Sequence, residues 1–203
     1  MSLVSIILPY FDKKEFIKET INSILNQTYQ NFELILIDDC STDDSYNIAK
    51  SYEHLDKVTL LKNDTNKGCY YTRNRGMELF AKGDFDYWTV HDSDDVSDIN
   101  RFKIVMDYLQ ENPKIIGCKT TFMRMYYDTK EVALTQEGKP NIGTSEGTAF
   151  YSRTAFDNLG YYHDTRFGGD TDYFWRLEAW IKTNNLDYQL GAHKEILVIG
   201  WQR

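Results

Sequence analysis

Short β-rich runs alternate with helix-patterned stretches through the first half of this chain, and that alternation constrains its fold more than any other feature. Strand candidates lie at Val4 to Leu8, Leu34 to Ile37, Val58 to Leu61 and Tyr87 to Val90. Between the first two, Phe16, Ile17, Ile21, Ile24 and Leu25 recur at helical spacing and form one apolar stripe that can lie on a sheet. That helix is expected to stop near Gln27 and Thr28. Asp43 or Asp44 can cap a second helix through Tyr52. Thr72 to Ala81 reads as a third that ends before Gly83, and Ile99 to Gln110 as a fourth closed by Asn112 and Pro113. Such βαβ succession predicts the α/β class, with a central, mostly parallel sheet flanked by helices.

The second half is less regular. Met123 to Thr148 carries Gly138, Pro140, Gly143 and Gly147 near its end and predicts a strand followed by a mobile loop. Helical patterns return at Ser152 to Leu159 and Asp170 to Thr183, the latter with Phe174, Leu177 and Ile181 on one face, and a last strand is expected over Glu195 to Ile199. A length of 203 residues suits one sizeable core and is short for two, so a single domain over 1–203 is expected, with no linker and no repeat.

Composition narrows the partners. A net charge of -8 gives no broad basic face for a nucleic-acid backbone, and argues weakly against anionic membranes. Three cysteines, Cys40, Cys69 and Cys118, stand at wide spacings without a CxxC pair, which points to a reducing cytoplasm rather than to zinc or redox chemistry. The opening run Val4 to Leu8 is far too short for a transmembrane segment and lacks a basic leader. Peripheral attachment to a membrane stays open, as do a homo-oligomer and a partner subunit.

Chemistry gathers where strands end. His91-Asp92-Ser93-Asp94-Asp95 follows the apolar strand Tyr87 to Val90, and ligands of open α/β sheets collect beyond the carboxyl ends of strands. Crowded carboxylates repel unless a cation or hydrogen-bond donors compensate them, and hard oxygens beside a diphosphate suit Mg²⁺ or Mn²⁺. The plainer alternative is a solvated acidic turn that caps the next helix. Asp38 and Asp39 end a different strand and can share that sheet edge, or can simply build the turn through Asp43. Asp170, in Phe167-Gly168-Gly169-Asp170, is either a helix cap or a carboxylate facing a cleft, able to accept a proton from a hydroxyl. Lys67, Arg73 and Arg75 can meet a base or phosphate or lie solvated, and His193 is either a late metal or phosphate contact or a structural side chain.

Taken together these stretches resemble glycosyltransferase family 2. The similarity runs through Val4-Ser5-Ile6-Ile7-Leu8-Pro9-Tyr10-Phe11-Asp12, Ser23-Ile24-Leu25-Asn26-Gln27-Thr28-Tyr29 and Phe32 to Asp43. It continues in Asn66-Lys67-Gly68, Arg73-Asn74-Arg75-Gly76, the DxD motif Asp92-Ser93-Asp94, and Gly147 to Gly160. The resemblance implies a GT-A (Rossmann-like) fold, with about 1–98 as the nucleotide-sugar-binding half and about 99–203 as the acceptor-binding half. It implies an inverting enzyme that moves a sugar from a nucleoside diphosphate, UDP being the family's commonest, to an acceptor hydroxyl such as a glycan's in polysaccharide biosynthesis. Pro9, Tyr10, Phe11 and Asp12 would line the nucleoside pocket, Asp39 would bind the base, and Arg73 would assist. Asp92, Ser93 and Asp94 would meet the donor, with Asp94 the chief ligand of Mn²⁺ or Mg²⁺ and Asp92 contacting the ribose or a metal-bound water. Asp170 falls where the family keeps its general base. Two departures stand out: the family commonly has Glu-Asp where this chain has Gly169-Asp170, and an asparagine where it has Asp12. A non-catalytic sugar-nucleotide binder and a receiver-like signalling domain are the alternatives, the latter because Leu36-Ile37-Asp38-Asp39 resembles the acidic start of one.

Overall fold

The computed structural model describes residues 1–202. In chain order its elements are β1 (Val4–Tyr10), α1 (Ile17–Leu25), β2 (Phe32–Asp38), α2 (Ser45–Lys50), β3 (Val58–Lys62), α3 (Cys69–Lys82), β4 (Tyr87–Val90), β5 (Asp95–Ser97), α4 (Arg101–Glu111), β6 (Ile115–Tyr126), β7 (Ile142–Ser152), α5 (Arg153–Leu159), α6 (Gly169–Thr183) and β8 (Gln189–Gln202). Among the described residues one sheet runs in the order β3-β2-β1-β4-β7-β6-β8-β5. Its β3-β2-β1-β4 half is parallel throughout, as βαβ succession requires. The other half is mixed: β7 runs antiparallel to β4 and β6, whereas β6 and β8 are parallel.

Every residue of β1 is buried, the mark of a strand covered on both faces. Its side chains alternate between two cores, as the two-residue period of a strand dictates. Ile6 and Leu8, with Leu34 and Leu36, pack with Ile17, Ile21 and Ile24 of α1 and with Phe102, Val105 and Leu109 of α4. Ile7, with Ile35 and Ile37, packs with Met77 and Phe80 of α3 and with Tyr173, Phe174 and Leu177 of α6. Gly76 lets α3 approach closely: a Cβ there would lie 2.6 Å from Ile7 Cγ2.

Several expectations need correction. No loop extends to Thr148. β6 reaches Tyr126, and the 127–141 segment folds back as a hairpin-like arm with bridges Met125 to Val132 and Leu134 to Pro140 before β7 begins at Ile142. The short polar residues Gly143, Thr144, Ser145 and Glu146 hide this strand from a hydrophobic pattern, yet Gly143, Thr144 and Ser145 pair with Phe122, Thr121 and Thr120. β8 likewise begins at Gln189, well before Glu195, because its first residues lack an apolar alternation. Asp44 holds the N-cap position of α2 without a side-chain cap bond, while Asp43 accepts from the Ser45 N–H at 2.9 Å. No helix among the described residues is long and apolar enough to cross a membrane.

Candidate functional site

The carboxyl ends of β1, β2 and β4 lie side by side, with β1 between the other two, which opens a crevice at that edge. A cavity of about 320 Å³ sits there, and among its lining residues are Pro9, Tyr10, Phe11, Asp39, Asp92, Ser93 and Asp94. The carboxyl ends of three strands and the loops that follow them thus deliver seven of the expected site residues, from Pro9 to Asp94, to one place. Lys13, Asn66, Gly68, Cys69 and Thr72 complete the lining, and the sequence reading assigned none of them a role.

The acidic turn is held rigidly from beneath. His91 N–H donates to the Ile7 carbonyl at 2.9 Å, and its buried ring meets the Asp92 carbonyl through Nδ1 at 2.9 Å and Ser97 Oγ through Nε2 at 2.8 Å. A carbonyl can only accept, so Nδ1 carries the proton and Nε2 accepts from the Ser97 hydroxyl, which in turn accepts from Arg101 Nη1 at 2.9 Å. Burial, helped by the Arg101 charge, pushes the His91 imidazole down to about 3 and keeps it neutral. Arg101 also donates to the Thr148 carbonyl at 3.0 Å, and Thr20 Oγ1 donates to the Ser93 carbonyl at 3.1 Å. Asp95 does not join the cavity: it is buried, paired with Arg124 at 3.1 Å, and burial with the nearby Asp92 lifts it to about 7. The Trp201 N–H faces the Asp94 carbonyl at 3.5 Å, which ties the end of β8 to the same turn.

Each exposed carboxylate of the turn has a cationic partner. Asp92 Oδ1 accepts from Arg73 Nη2 at 2.8 Å, and Asp94 Oδ2 from Lys13 Nζ at 2.6 Å. Asp39 is 4% exposed and accepts from Asn63 Nδ2 at 2.7 Å, Lys67 N–H at 2.9 Å and Gly68 N–H at 2.8 Å, so it fixes the loop that enters α3. Asp38 fulfils the turn-building alternative, accepting from the Ser41 N–H at 3.1 Å.

Asp170 lies just outside the cavity lining and is joined to it by Arg73. Gly168 holds the N-cap position of α6, so Asp170 is not the cap. Its Oδ1 pairs closely with Arg73 Nη1, and its Oδ2 accepts from the Tyr70 hydroxyl at 3.2 Å. Burial lifts the Asp170 carboxyl above its ordinary value while Arg73 opposes that rise. Arg73 itself is buried, its Nε lacks a partner among the described residues, and the Tyr70 and Tyr162 rings flank it at 5.0 and 5.8 Å. The signal that could have revealed Tyr70 is its spacing: it stands three residues before Arg73 in α3, hence on the same helix face.

Other expected residues point elsewhere. Asp12 lies outside the cavity: its carboxylate accepts from the Thr42 and Asp43 N–H groups at 2.7 and 3.2 Å and so builds the 41–43 turn. Arg75 donates to the Lys62 carbonyl and Asn63 Oδ1, each at 2.6 Å. His193 packs edge-on against Tyr108 with ring centroids 5.7 Å apart and is absent from the cavity lining.

Among the described residues no group of three or more His, Cys, Asp or Glu is placed to hold a metal ion. Asp92 and Asp94 nonetheless present hard oxygen donors to one cavity, which fits an ion that takes one or two carboxylates and completes its shell with water and phosphate oxygens.

Comparison with known proteins gives this geometry a context. The family profile described as "Glycosyl transferase family 2" matches residues 5–177. Glycosyltransferase GlyG of Streptococcus pneumoniae is 36% identical over 110 residues, which are 54% of this chain and 36% of that protein. WfaP of Escherichia coli, described as a UDP-Glc:alpha-D-GlcNAc-diphosphoundecaprenol beta-1,3-glucosyltransferase, is 38% identical over 95 residues, 43% of this chain and 37% of that one. The chain therefore spans little more than about a third of these relatives' length. Among solved structures, residues 1–349 of S. aureus TarS in complex with UDP match with a TM-score of 0.75 at 17% identity, over 100% of this chain and 61% of that one. Mannosyltransferase PcManGT from Pyrobaculum calidifontis, in complex with GDP-Man and Mn²⁺, matches with a TM-score of 0.70 at 15% identity, over 98% and 56%. These likenesses show the fold, a curled mixed sheet between helices of the GT-A kind.

Proposed function

The chain belongs to glycosyl transferase family 2, and from that membership we propose that it transfers a sugar from a nucleoside diphosphate to an acceptor hydroxyl, with inversion and with Asp170 as general base. One observation carries the reading: Asp39, Asp92 and Asp94 line one cavity at the carboxyl edge of the parallel strands, and Arg73 links Asp92 directly to Asp170. Membership also removes the receiver-like alternative, whose acidic pair would follow the first strand rather than the second.

In this reading residues 1–98 hold the donor and residues 99–203 the acceptor. Pro9, Tyr10, Phe11 and Asp39 receive the nucleoside, while Asp92, Ser93 and Asp94 face the diphosphate. A divalent cation, Mn²⁺ or Mg²⁺, held by Asp94 with Asp92 nearby would supply electrostatic stabilisation of the departing diphosphate. Asp170 Oδ2 accepts the acceptor's proton, and Arg73 and Tyr70 hold that carboxylate in one orientation. Arg73, buried and doubly paired, keeps its charge and favours the ionised form a base requires.

UDP is favoured as the donor's nucleotide because a structural neighbour binds UDP and UDP-GlcNAc and a relative's description names UDP-Glc. The neighbour bound to GDP-Man and Mn²⁺ supports metal assistance and makes guanosine donors the rival. A glycan acceptor in polysaccharide synthesis and a cytoplasmic setting at a membrane surface complete the proposal. The deciding experiment offers UDP- and GDP-sugars with Mn²⁺, Mg²⁺ or EDTA and follows transfer and donor hydrolysis. Turnover with a UDP-sugar and Mn²⁺ supports the reading, and binding without turnover makes the chain a non-catalytic sugar-nucleotide binder.

A further inference from the structure

Lys13 attracts no attention in the sequence, yet its ammonium lies 2.6 Å from Asp94 Oδ2, with both side chains 33% exposed. Its backbone is fixed at the entrance to α1. The Lys13 N–H donates to Ser45 Oγ at 2.7 Å, and its carbonyl accepts from the Phe16 and Ile17 N–H groups at 2.9 Å each. The long side chain can therefore swing about a fixed root, within the cavity that Asp39, Asp92 and Asp94 also line. Asp92 is already paired with Arg73, so in the free protein both cavity-lining carboxylates of the acidic turn are neutralised by resident cations.

A divalent ion approaching Asp94 alone has to displace a bonded ammonium and then meet its charge at short range. A diphosphate reverses both terms. It gives Lys13 a new anionic partner, and it supplies the phosphate oxygens that Mg²⁺ and Mn²⁺ take in place of a protein cage.

We infer that Lys13 is a gatekeeping cation, which holds Asp94 in the free protein and passes to the diphosphate when the donor arrives. Cation loading is then coupled to donor binding. The inference rests on the donor reading proposed above.

The test titrates Mn²⁺ alone into the free protein, follows the electron paramagnetic resonance signal of aqueous Mn²⁺, and repeats the titration with UDP. The wild-type protein is expected to bind Mn²⁺ weakly until UDP is added. Lys13→Met is expected to bind Mn²⁺ alone roughly tenfold or more tightly than wild type, since a positive charge a few ångströms from the ion has gone. Its further gain on adding UDP should be smaller. Lys13→Gln should repeat the result if Lys13→Met folds poorly, and Lys18→Met, which removes an exposed charge on α1, should behave as wild type. Equal Mn²⁺ affinity of the free wild-type and Lys13 variants overturns the inference, as does wild-type binding that UDP does not improve. Should wild type with Mn²⁺ bind neither UDP nor GDP, the donor reading itself fails and takes this inference with it.

Discussion

The Tyr70 ring occupies the space in which residue 169 would carry its side chain: a Cβ on Gly169 would lie 2.5 Å from Tyr70 Cε1 and 2.7 Å from Cδ1 and Cζ. The glycine that departs from the Glu-Asp pattern is thus matched by a tyrosine whose hydroxyl reaches the neighbouring Asp170.

That relationship makes the two positions interdependent. Gly169→Ala is expected to cost about 1–3 kcal/mol, the usual range for overpacking, and Gly169→Glu more. Combining Gly169→Glu with Tyr70→Ala should recover part of the loss, because neighbours in contact are not additive. Chemical denaturation of the single and double variants measures the coupling, and strict additivity would contradict the packing described.

Asp170→Asn should reduce kcat by roughly 10²–10⁴-fold, the usual worth of general-base help, and leave donor affinity nearly unchanged. Steady-state kinetics beside calorimetric UDP binding separates the two. An unaltered kcat would remove Asp170 from the mechanism.

Asp94→Ala should abolish the Mn²⁺-dependent part of UDP affinity, a loss of at least about tenfold, since the metal ligand and the bridge to the phosphates go together. Thermal shifts with UDP, with and without Mn²⁺, report it: the wild type should gain from the metal and the variant should not.

The pH dependence follows from burial. Asp170 is held above its ordinary value, so its basic form, and with it kcat, is lost on acidification at a pH above the usual carboxylate range. Arg73 opposes that rise, so Arg73→Gln should move the acid limb of the kcat profile to still higher pH. For folding the sign runs the other way: this carboxyl's contribution to stability is fully present below its unfolded value of about 3.9 and is lost as pH rises through the folded one. A pH profile of kcat for wild type and Arg73→Gln checks the shift, and superimposable acid limbs would refute it.

Much of the parallel half was legible because its signals are local. Tyr87 to Val90 is a strand from end to end, and Asp38-Asp39 and Asp92-Ser93-Asp94 reach one edge because each follows an apolar run. Partners far apart in the chain were not legible. Lys13 and Asp94 are 81 residues apart, Tyr70 and Asp170 are 100, and no periodicity connects them. Asp12 follows β1 closely, but with φ at 50° its carboxylate meets the Thr42 N–H, a contact that its place in the chain does not signal. The polar first half of β7 escapes patterning, since what holds it is the neighbour across the ladder.

β5, which follows the acidic turn at once, pairs Asp95, Val96 and Ser97 with Gly200, Ile199 and Val198 of β8. Closing a loop of that length is slow, and its entropic cost precedes any reward. The three residues that steady the carboxylate-bearing turn therefore find their hydrogen-bonding partner only after almost the whole of the described chain has been synthesised. A polypeptide still emerging from the ribosome carries that turn without the strand that braces it.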